Sequence, residues 1–314
     1  MTEEREIYYG SRSNDFRELI INLLKRGNLK EQYISVLTNS NGMAEYGKAF
    51  TAVTANSKDN MEILEQLGDL SANKFIVTYV YKRFPQIKCT EGLKIAARLR
   101  IVYGSKATFA PIAEKLGFWP FISAGVEGSK ETGRDKRLKY RNTHKKELLE
   151  DTLEAFIGCT ETLLDNEYRI GVGYAVVYDI LSSIFDELDI SIKFEDLYDA
   201  ITRLKETFDK FKSAIGTWYY IHTRESVGTE GFTQSITKVY LIPPNVKDKP
   251  KEIKDTNTNK IIEKQALDGW QEIGCGVASN QDDSSQRAAE QGIETLKKAG
   301  YYREPPEIYQ KLCK

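Results

Sequence analysis

Two groups of acidic residues are spaced so that each group lies on one face of a helix. In the stretch NMEILEQLGDL, carboxylates stand at Glu62, Glu65 and Asp69, at intervals of three and four residues. In the stretch ELLEDTLEAFIG, Asp151 and Glu154 are three residues apart. Residues at these intervals project from the same side of a helix. Each group therefore presents several carboxylates together.

Such faces repel one another unless something compensates their charge. Like charges on one helical face cost roughly 0.2–0.5 kcal/mol per pair, and burying unpaired carboxylates costs far more. Mg²⁺ is a natural compensation, because it binds carboxylate oxygens and keeps waters for a substrate. The alternative is that both stretches are solvated faces of amphipathic helices. Histidine chemistry is disfavoured, since the chain has only His144 and His222.

The elements that would carry these acids are helices. Apolar residues recur every three to four positions up to about residue 190, which is the helical period. We predict helices at 15–26, 60–83, 93–102, 106–117, 145–165 and 172–188. Asp15 is a candidate cap for the first helix. The polar stretch 124–143 is predicted to be a long loop, and the strongly basic stretch 130–146 leads into the second acidic group.

After about residue 195 the pattern becomes mixed. We predict a helix at 194–212, strands at 217–226, 231–242 and 269–279, and a final helix at 284–299. The order α-β-β-β-α predicts a small two-layer α+β unit. The stretch 243–263 is rich in Pro, Lys, Asp and Asn, so we predict a flexible insertion there.

The composition fits an intracellular protein of two domains. The chain has 314 residues, of which 40% are hydrophobic, and its 45 basic and 46 acidic residues give a net charge of −1. That length suits two ordinary domains, or one domain with additions. The four cysteines form no CxxC pair, which fits a reducing compartment. With no visible signal peptide and no apolar run of about 18 residues, we expect a soluble cytoplasmic or nuclear protein without membrane contact.

The acidic motifs resemble those of the ribonuclease III family. Residues 60–85 (NMEILEQLGDLSANKFIVTYVYKRFP) are similar to the family signature, roughly N-x-E-x-L-E-x-L-G-D followed by a hydrophobic helix and Phe-Pro. Residues 148–158 (LLEDTLEAFIG) resemble a second motif that ends in D-x-x-E-A-x-I-G, and residues 112–118 (IAEKLGF) match the segment between the two. The resemblance covers about residues 15–185. It implies an all-α ribonuclease III endonuclease domain.

By this resemblance, four acids are the catalytic and metal-binding residues: Glu65, Asp69, Asp151 and Glu154. Glu62 is a supporting acid at the start of the motif. The implied cofactor is Mg²⁺, with Mn²⁺ as an alternative, bound as two ions about 4 Å apart. Family domains pair and each cuts one strand of double-stranded RNA, which leaves short 3′ overhangs, so a homodimer is implied. Gln66 departs from the bacterial members, which usually carry an aromatic residue there that contacts the partner subunit.

The C-terminal unit resembles a double-stranded-RNA-binding domain. The stretch DAITRLKETF (199–208) is similar to the first helix of that domain, and IGCGVAS followed by SQRAAEQ is similar to its third strand and second helix. The resemblance implies RNA contacts by Thr202, Lys205, Glu206, Ser285, Gln286 and Arg287. Lys205 replaces the usual Gln, while Gln286 and Arg287 replace the usual Lys pair, which weakens the expected hold on phosphates. The alternative is a small α+β module that serves protein contacts.

The expected organisation is a nuclease domain at 1–190, a double-stranded-RNA-binding domain at 194–302 and a C-terminal tail at 303–314. The insertion indicates a lineage distant from the bacterial enzymes, either viral or of a divergent eukaryotic type. The expected function is hydrolysis of double-stranded RNA by a two-metal-ion mechanism, with Glu154 as the most sensitive ligand. Two alternatives are a protein that sequesters double-stranded RNA to suppress silencing, and a non-catalytic homologue within a larger complex. The intact set of acids favours the nuclease.

Overall fold

The chain folds into two compact units, Met1–Ile190 and Ser191–Lys314. The structure, a computed structural model, describes residues 6–126, 141, 143–227, 232–246 and 269–313. Within those residues, no helix is both long enough and apolar enough to cross a membrane.

The first unit is mostly helical. Its helices are α1 (Asn14–Lys25), α2 (Glu31–Leu37), α3 (Ser40–Ala49), α4 (Glu62–Arg83), α5 (Leu93–Tyr103), α6 (Lys106–Lys115), α7 (Lys145–Glu167) and α8 (Val172–Phe185). All six helices predicted for this region are present. The helices α2 and α3 lie where none was predicted, because α2 is short and α3 contains two glycines that blur the apolar period. Asn39 nevertheless caps α3, since its side chain accepts a hydrogen bond from the Gly42 amide at 2.8 Å.

Two predicted details of this unit are wrong. The unit is not all-α, because the strands β1 (Glu6–Tyr8) and β2 (Ala124–Val126) pair antiparallel, with Tyr8 opposite Ala124. Three residues on each side are too few for a recognisable alternation in the sequence. Asp15 does not cap α1 either. The helix begins one residue earlier, after Ser13, and Asp15 lies inside its first turn, where a negative charge favours the helix dipole.

The two long helices α4 and α7 form the centre of the first unit. Phe75 of α4 is fully buried and packs edge-on against Phe185 of α8, with ring centroids 5.0 Å apart. Phe156 of α7 is buried and stacks on Tyr46 of α3. The Tyr46 hydroxyl and Thr160 Oγ1 form a buried hydrogen bond of 2.9 Å, so the polar end of the ring is satisfied. These contacts fix both helices that carry acidic groups.

The second unit has the predicted α-β-β-β-α core. Its elements are α9 (Phe194–Leu197), α10 (Ala200–Ile215), β3 (Thr217–Val227), β4 (Phe232–Ile242), β5 (Gln271–Ala278), α11 (Gln281–Lys298) and α12 (Glu307–Leu312). The strands form one antiparallel sheet in the order β3-β4-β5. Leu204 and Phe208 of α10 pack with Val239 of β4 and Ala288 of α11 in its core. Of the predicted insertion, residues 247–263 lie outside the described residues.

The helix predicted at 194–212 is interrupted, and this prediction is wrong in that respect. Tyr198 and Asp199 are extended between α9 and α10. The cause is a cap, because Asp199 Oδ1 accepts a hydrogen bond from the Thr202 amide at 2.8 Å. The helix predicted at 284–299, α11, begins at Gln281 instead, since Asn280 caps it in the same way through the Asp283 amide.

The segment 303–314 was expected to be a tail, and its described residues contain α12. Tyr309 of α12 is buried and packs against the rings of Phe194 and Tyr198, with centroids 5.3 and 6.0 Å away. Cys313 Sγ donates a hydrogen bond to the Ile192 carbonyl at 2.9 Å. The end of the chain therefore packs on the segment that opens the second unit.

Candidate active site

The helices α4 and α7 approach each other closely enough for their backbones to touch. A Cβ on Gly68 would lie 1.7 Å from the carbonyl oxygen of Glu154, and a Cβ on Gly158 would lie 2.0 Å from the carbonyl oxygen of Leu64. No side chain fits at either position without moving a helix. The two acidic groups predicted from the sequence are therefore brought together, because Gly68 directly precedes Asp69 and Gly158 lies one turn after Glu154.

The carboxylates at this contact are close enough to oppose one another's ionisation. Glu154 is only 7% exposed. Burial raises its pKa from 4.5 to about 8, and the charge of Asp69 adds to the effect. Burial also raises the pKa of Asp151 from 3.8 to about 7, with a further contribution from Glu65. Both pKa shifts arise mainly because burial removes the ionised carboxylates from water.

Glu65 and Glu150 belong to the same group of acids. The pKa of Glu65 is raised by its burial and then by the charges of Glu62 and Glu150. The pKa of Glu150 is raised by its burial, while Lys106 opposes the rise. We name these five residues the acidic cluster: Glu65, Asp69, Glu150, Asp151 and Glu154. The four predicted metal ligands are all members.

The sequence did not single out Glu150 and Lys106. Lys106 opens α6, and its Nζ lies 3.2 Å from Glu147 Oε1 and 3.7 Å from Glu150 Oε2. It therefore offsets part of the negative charge at one side of the acidic cluster. The signal for Glu150 was its place beside Asp151 in the motif. Nothing in the local sequence shows that Lys106 reaches α7.

Glu62, the predicted supporting acid, lies at the first residue of α4 and is exposed. Its amide donates a hydrogen bond to Asn60 Oδ1 at 3.1 Å, so the motif's opening Asn satisfies one of the free amides at the start of the helix. Glu62 acts on the acidic cluster through its charge, which raises the pKa of Glu65. An acid in the first turn is also favoured by the helix dipole.

The donor set of the acidic cluster fits a hard divalent cation. Its donors are carboxylate oxygens, which Mg²⁺ and Mn²⁺ prefer, and their charge is largely uncompensated inside the fold. In the part of the chain that the structure describes, no three acidic, His or Cys side chains are already gathered at metal-binding distances. The carboxylates thus share one interface without forming a finished cage.

In the second unit, the predicted RNA-contacting residues of α10 differ in their surroundings. Lys205 is exposed. The Thr202 hydroxyl donates to Asp199 Oδ2 at 2.7 Å, so it belongs to the cap of the helix. Glu206 forms an ion pair with Arg303. Two of the three side chains are therefore engaged within the protein.

The predicted phosphate contacts of α11 are also engaged. Ser285 is buried, and its hydroxyl donates to the Gln281 carbonyl at 2.7 Å. Gln286 Oε1 accepts from the Ala200 amide at 2.9 Å, which ties α11 to the start of α10. Arg287 Nη1 donates to the Val277 carbonyl at 2.5 Å. Gln286, in place of the usual Lys, thus joins two helices by a hydrogen bond, a role that its position in the motif did not reveal.

The basic stretch 130–146 lies mostly outside the described residues. Of its described members, Arg141 is buried between two aromatic rings, with Cζ 3.9 Å from the ring centroid of Tyr8 and 3.6 Å from that of Trp119. Lys145 forms an ion pair with Glu114. These two cations stabilise the first unit itself.

Comparison with known proteins confirms the resemblance found in the sequence. The family model described as "Ribonuclease III domain" matches residues 62–162, which contain both acidic groups. Among solved structures, the nuclease domain of ribonuclease III from Campylobacter jejuni is 24% identical with a TM-score of 0.37, and the match covers 54% of this chain and 99% of that one. A structural similarity of this size adds nothing to the assignment.

Two viral proteins are more informative. A protein named as a ribonuclease 3 in Invertebrate iridescent virus 6 is 34% identical over 317 residues, which cover 97% of this chain and 95% of that protein. A second, named likewise in Frog virus 3 (isolate Goorha), is 41% identical over 196 residues, which cover 62% of this chain and 49% of that protein. The chain therefore belongs to the ribonuclease III family, alongside viral relatives, and is an RNA endonuclease.

Proposed function

We propose that this ribonuclease hydrolyses double-stranded RNA with two bound divalent metal ions and leaves short 3′ overhangs. The observation that carries the proposal is the acidic cluster at the contact between α4 and α7. Buried carboxylates with pKa values of about 7 and about 8 destabilise a fold, so their presence together calls for a function. Perturbed acids gathered at one interface are typical of catalytic sites.

Four members of the acidic cluster would hold the ions: Glu65, Asp69, Asp151 and Glu154. Bound divalent ions supply an activated water and neutralise charge on the leaving oxygen. Asp151 and Glu154 must release their protons to act as ligands. Lys106 would favour the ionised form of Glu150 beside them, since its charge opposes the rise that burial causes in the pKa of that acid. The rigid backbone contact at Gly68 and Gly158 would hold the two acidic groups at a constant separation.

A row of exposed apolar residues on α4 supports a homodimer. Ile63, Leu67 and Leu70 are 73, 43 and 64% exposed, and their spacing of four and three places them on one side of the helix. The described residues of the first unit leave these three side chains exposed. An exposed apolar row on a soluble domain marks an interaction surface. Pairing of two copies through it would bring two acidic clusters into one particle, one for each RNA strand.

The second unit is proposed to be a double-stranded-RNA-binding domain at 194–302, beside a nuclease domain at 1–190. Its α-β-β-β-α order supports this proposal. Exposed Lys205 is available to RNA, whereas Glu206, Ser285 and Gln286 would first have to leave their present partners. The domain should therefore bind RNA weakly, and this favours the nuclease over a protein that acts by sequestering RNA.

Cleavage of a long duplex RNA tests the proposal. We expect the wild-type chain to cut the duplex in Mg²⁺ and not in EDTA, and to leave a single strand of the same sequence intact. Glu154→Gln should still bind the duplex in a gel-shift assay but should not cut it. Glu18→Gln removes an exposed carboxylate from α1 and serves as the control for loss of one acid. Full activity of Glu154→Gln in Mg²⁺ would exclude this use of the acidic cluster.

A further inference from the structure

Asp69 is held by another residue of its own helix. Asn73 lies one turn later on α4, and its Nδ2 donates to Asp69 Oδ1 at 2.7 Å and to the Asp69 carbonyl oxygen at 2.9 Å. The bond to the backbone fixes the Asn73 amide, and the bond to Oδ1 transmits that position to the carboxylate. Oδ1 of Asp69 thus accepts a hydrogen bond from Asn73, and Oδ2, which lacks this bond, is the oxygen through which Asp69 can bind a ligand.

A cation on α5 fixes the direction of the same amide. Arg100 Nη1 donates to Asn73 Oδ1 at 3.4 Å. An amide has one accepting oxygen and one donating nitrogen, so with Arg100 at one end and Asp69 at the other only one orientation satisfies both.

The position of Asp69 matters to the rest of the acidic cluster. Its charge contributes to the raised pKa values of Glu154, Glu65 and Glu150, which places its carboxylate near all three. A cation bound among these acids would need Asp69 in a fixed direction. A carboxylate free to rotate would lose that freedom on binding, and the affinity would fall accordingly.

We propose that Asn73 and Arg100 are positioning residues for Asp69, and that the chain of contacts from Arg100 through Asn73 to Asp69 sets the affinity of the acidic cluster for a divalent cation. The proposal rests on the proposed function, since it assigns a role toward the same ions. Residues that orient metal ligands from behind typically change affinity by about 10–100-fold when they are replaced. Asn73 would hold Asp69 Oδ1 in place, and Arg100 would hold the Asn73 amide in the orientation that this contact requires.

Binding of Mn²⁺ to the full-length protein without RNA tests the proposal by calorimetry. Asn73→Leu keeps a side chain of similar size but loses both hydrogen bonds to Asp69, and we expect its Mn²⁺ affinity to fall by roughly tenfold or more. Arg100→Gln should weaken Mn²⁺ binding in the same direction, and Arg100→Lys should restore most of it. Lys94→Gln removes the same charge from an exposed position on α5 and should leave the affinity unchanged.

Cleavage kinetics provide a second reading. In Asn73→Leu we expect the Mg²⁺ concentration for half-maximal cleavage to rise, while kcat at saturating Mg²⁺ stays near that of the wild type. Denaturation without metal reports whether each variant folds. If Asn73→Leu does not fold, the variants of exposed Arg100 still test the proposal. Wild-type affinity in Asn73→Leu, or equal losses in Arg100→Gln and Lys94→Gln, would overturn the proposal. A wild-type chain that neither binds Mn²⁺ nor cuts duplex RNA would instead overturn the proposed function, and this inference with it.

Discussion

Replacing Glu154 by Gln should make the metal-free protein more stable, and the gain should grow with pH. The side chain is buried at the contact between α4 and α7, where burial and the charge of Asp69 raise its pKa. The amide has nearly the same shape but carries no charge. The substitution therefore removes an electrostatic cost without opening a cavity.

The size of the gain follows from the pKa. Glu154 has a pKa of about 8 in the fold against an ordinary value of 4.5. Between these values the folded protein keeps a proton that the unfolded chain has released, so stability falls as pH rises above about 4.5, and the loss is complete above about pH 8. At about 1.4 kcal/mol for each unit of pKa, the wild type should lose roughly 2–3 kcal/mol through this group between about pH 6 and about pH 9.

Urea denaturation in EDTA at these two pH values measures the effect. We expect the variant to exceed the wild type in free energy of unfolding by more at the higher pH, with a difference of roughly 2 kcal/mol between the two conditions. Glu18→Gln, on the exposed side of α1, should show no such difference. Adding Mg²⁺ should stabilise the wild type more than Glu154→Gln, because ligands that bind only the folded state add stability.

Two results would refute this reasoning. If the free energies of unfolding of Glu154→Gln and of the wild type changed in parallel between the two pH values, the Glu154 carboxylate would not be in the buried, acidic environment described. If the variant became less stable relative to the wild type as pH rose, the sign of the linkage would be wrong. In either case the acidic cluster would have no energetic need for a bound cation.

Two further predictions concern packing. Gly68→Ala should destabilise the first unit by about 3 kcal/mol or more in urea denaturation, because overpacking costs about 1–3 kcal/mol and here the new Cβ meets a backbone oxygen. In Gly47→Ala the nearest atom to the new Cβ is Arg12 Nε at 3.6 Å, so this variant should instead gain roughly 0.5–1 kcal/mol of stability. Similar effects of both substitutions would contradict the helix contact. Tyr309→Ala should speed hydrogen exchange of the amides at 194–199, since its ring packs on Phe194 and Tyr198, and unchanged protection there would show that α12 does not hold that segment.

The long helices could be predicted from the sequence, as could the helical face that each acidic group shares, because both signals are local. The apolar period of α4 and α7 extends over many turns, and the spacing of Glu65 and Asp69 shows that they share a face whatever the rest of the fold does. The helix α2 was missed because a short helix contains too few turns for the period to stand out, and α3 was missed because its two glycines blur that period.

The partners of the acids could not be predicted, because they depend on which helix faces which. Lys106 meets Glu150 across α6 and α7, and Arg100 meets Asn73 across α5 and α4. Neither pair has a fixed separation along the chain that a motif would record. The same limit applied to Gln286, whose contact with the start of α10 became visible only in the packed unit.

The backbone contact at Gly68 and Gly158 separates the architecture of the site from its chemistry. The distance between α4 and α7 is set by two glycines, which have no side chains, and not by the carboxylates that line the interface. Loss of any one acid would leave this helix pair in place, so a relative without activity would keep the same fold. Under the proposed function, activity requires the acids as well as the two glycines, and this chain has both.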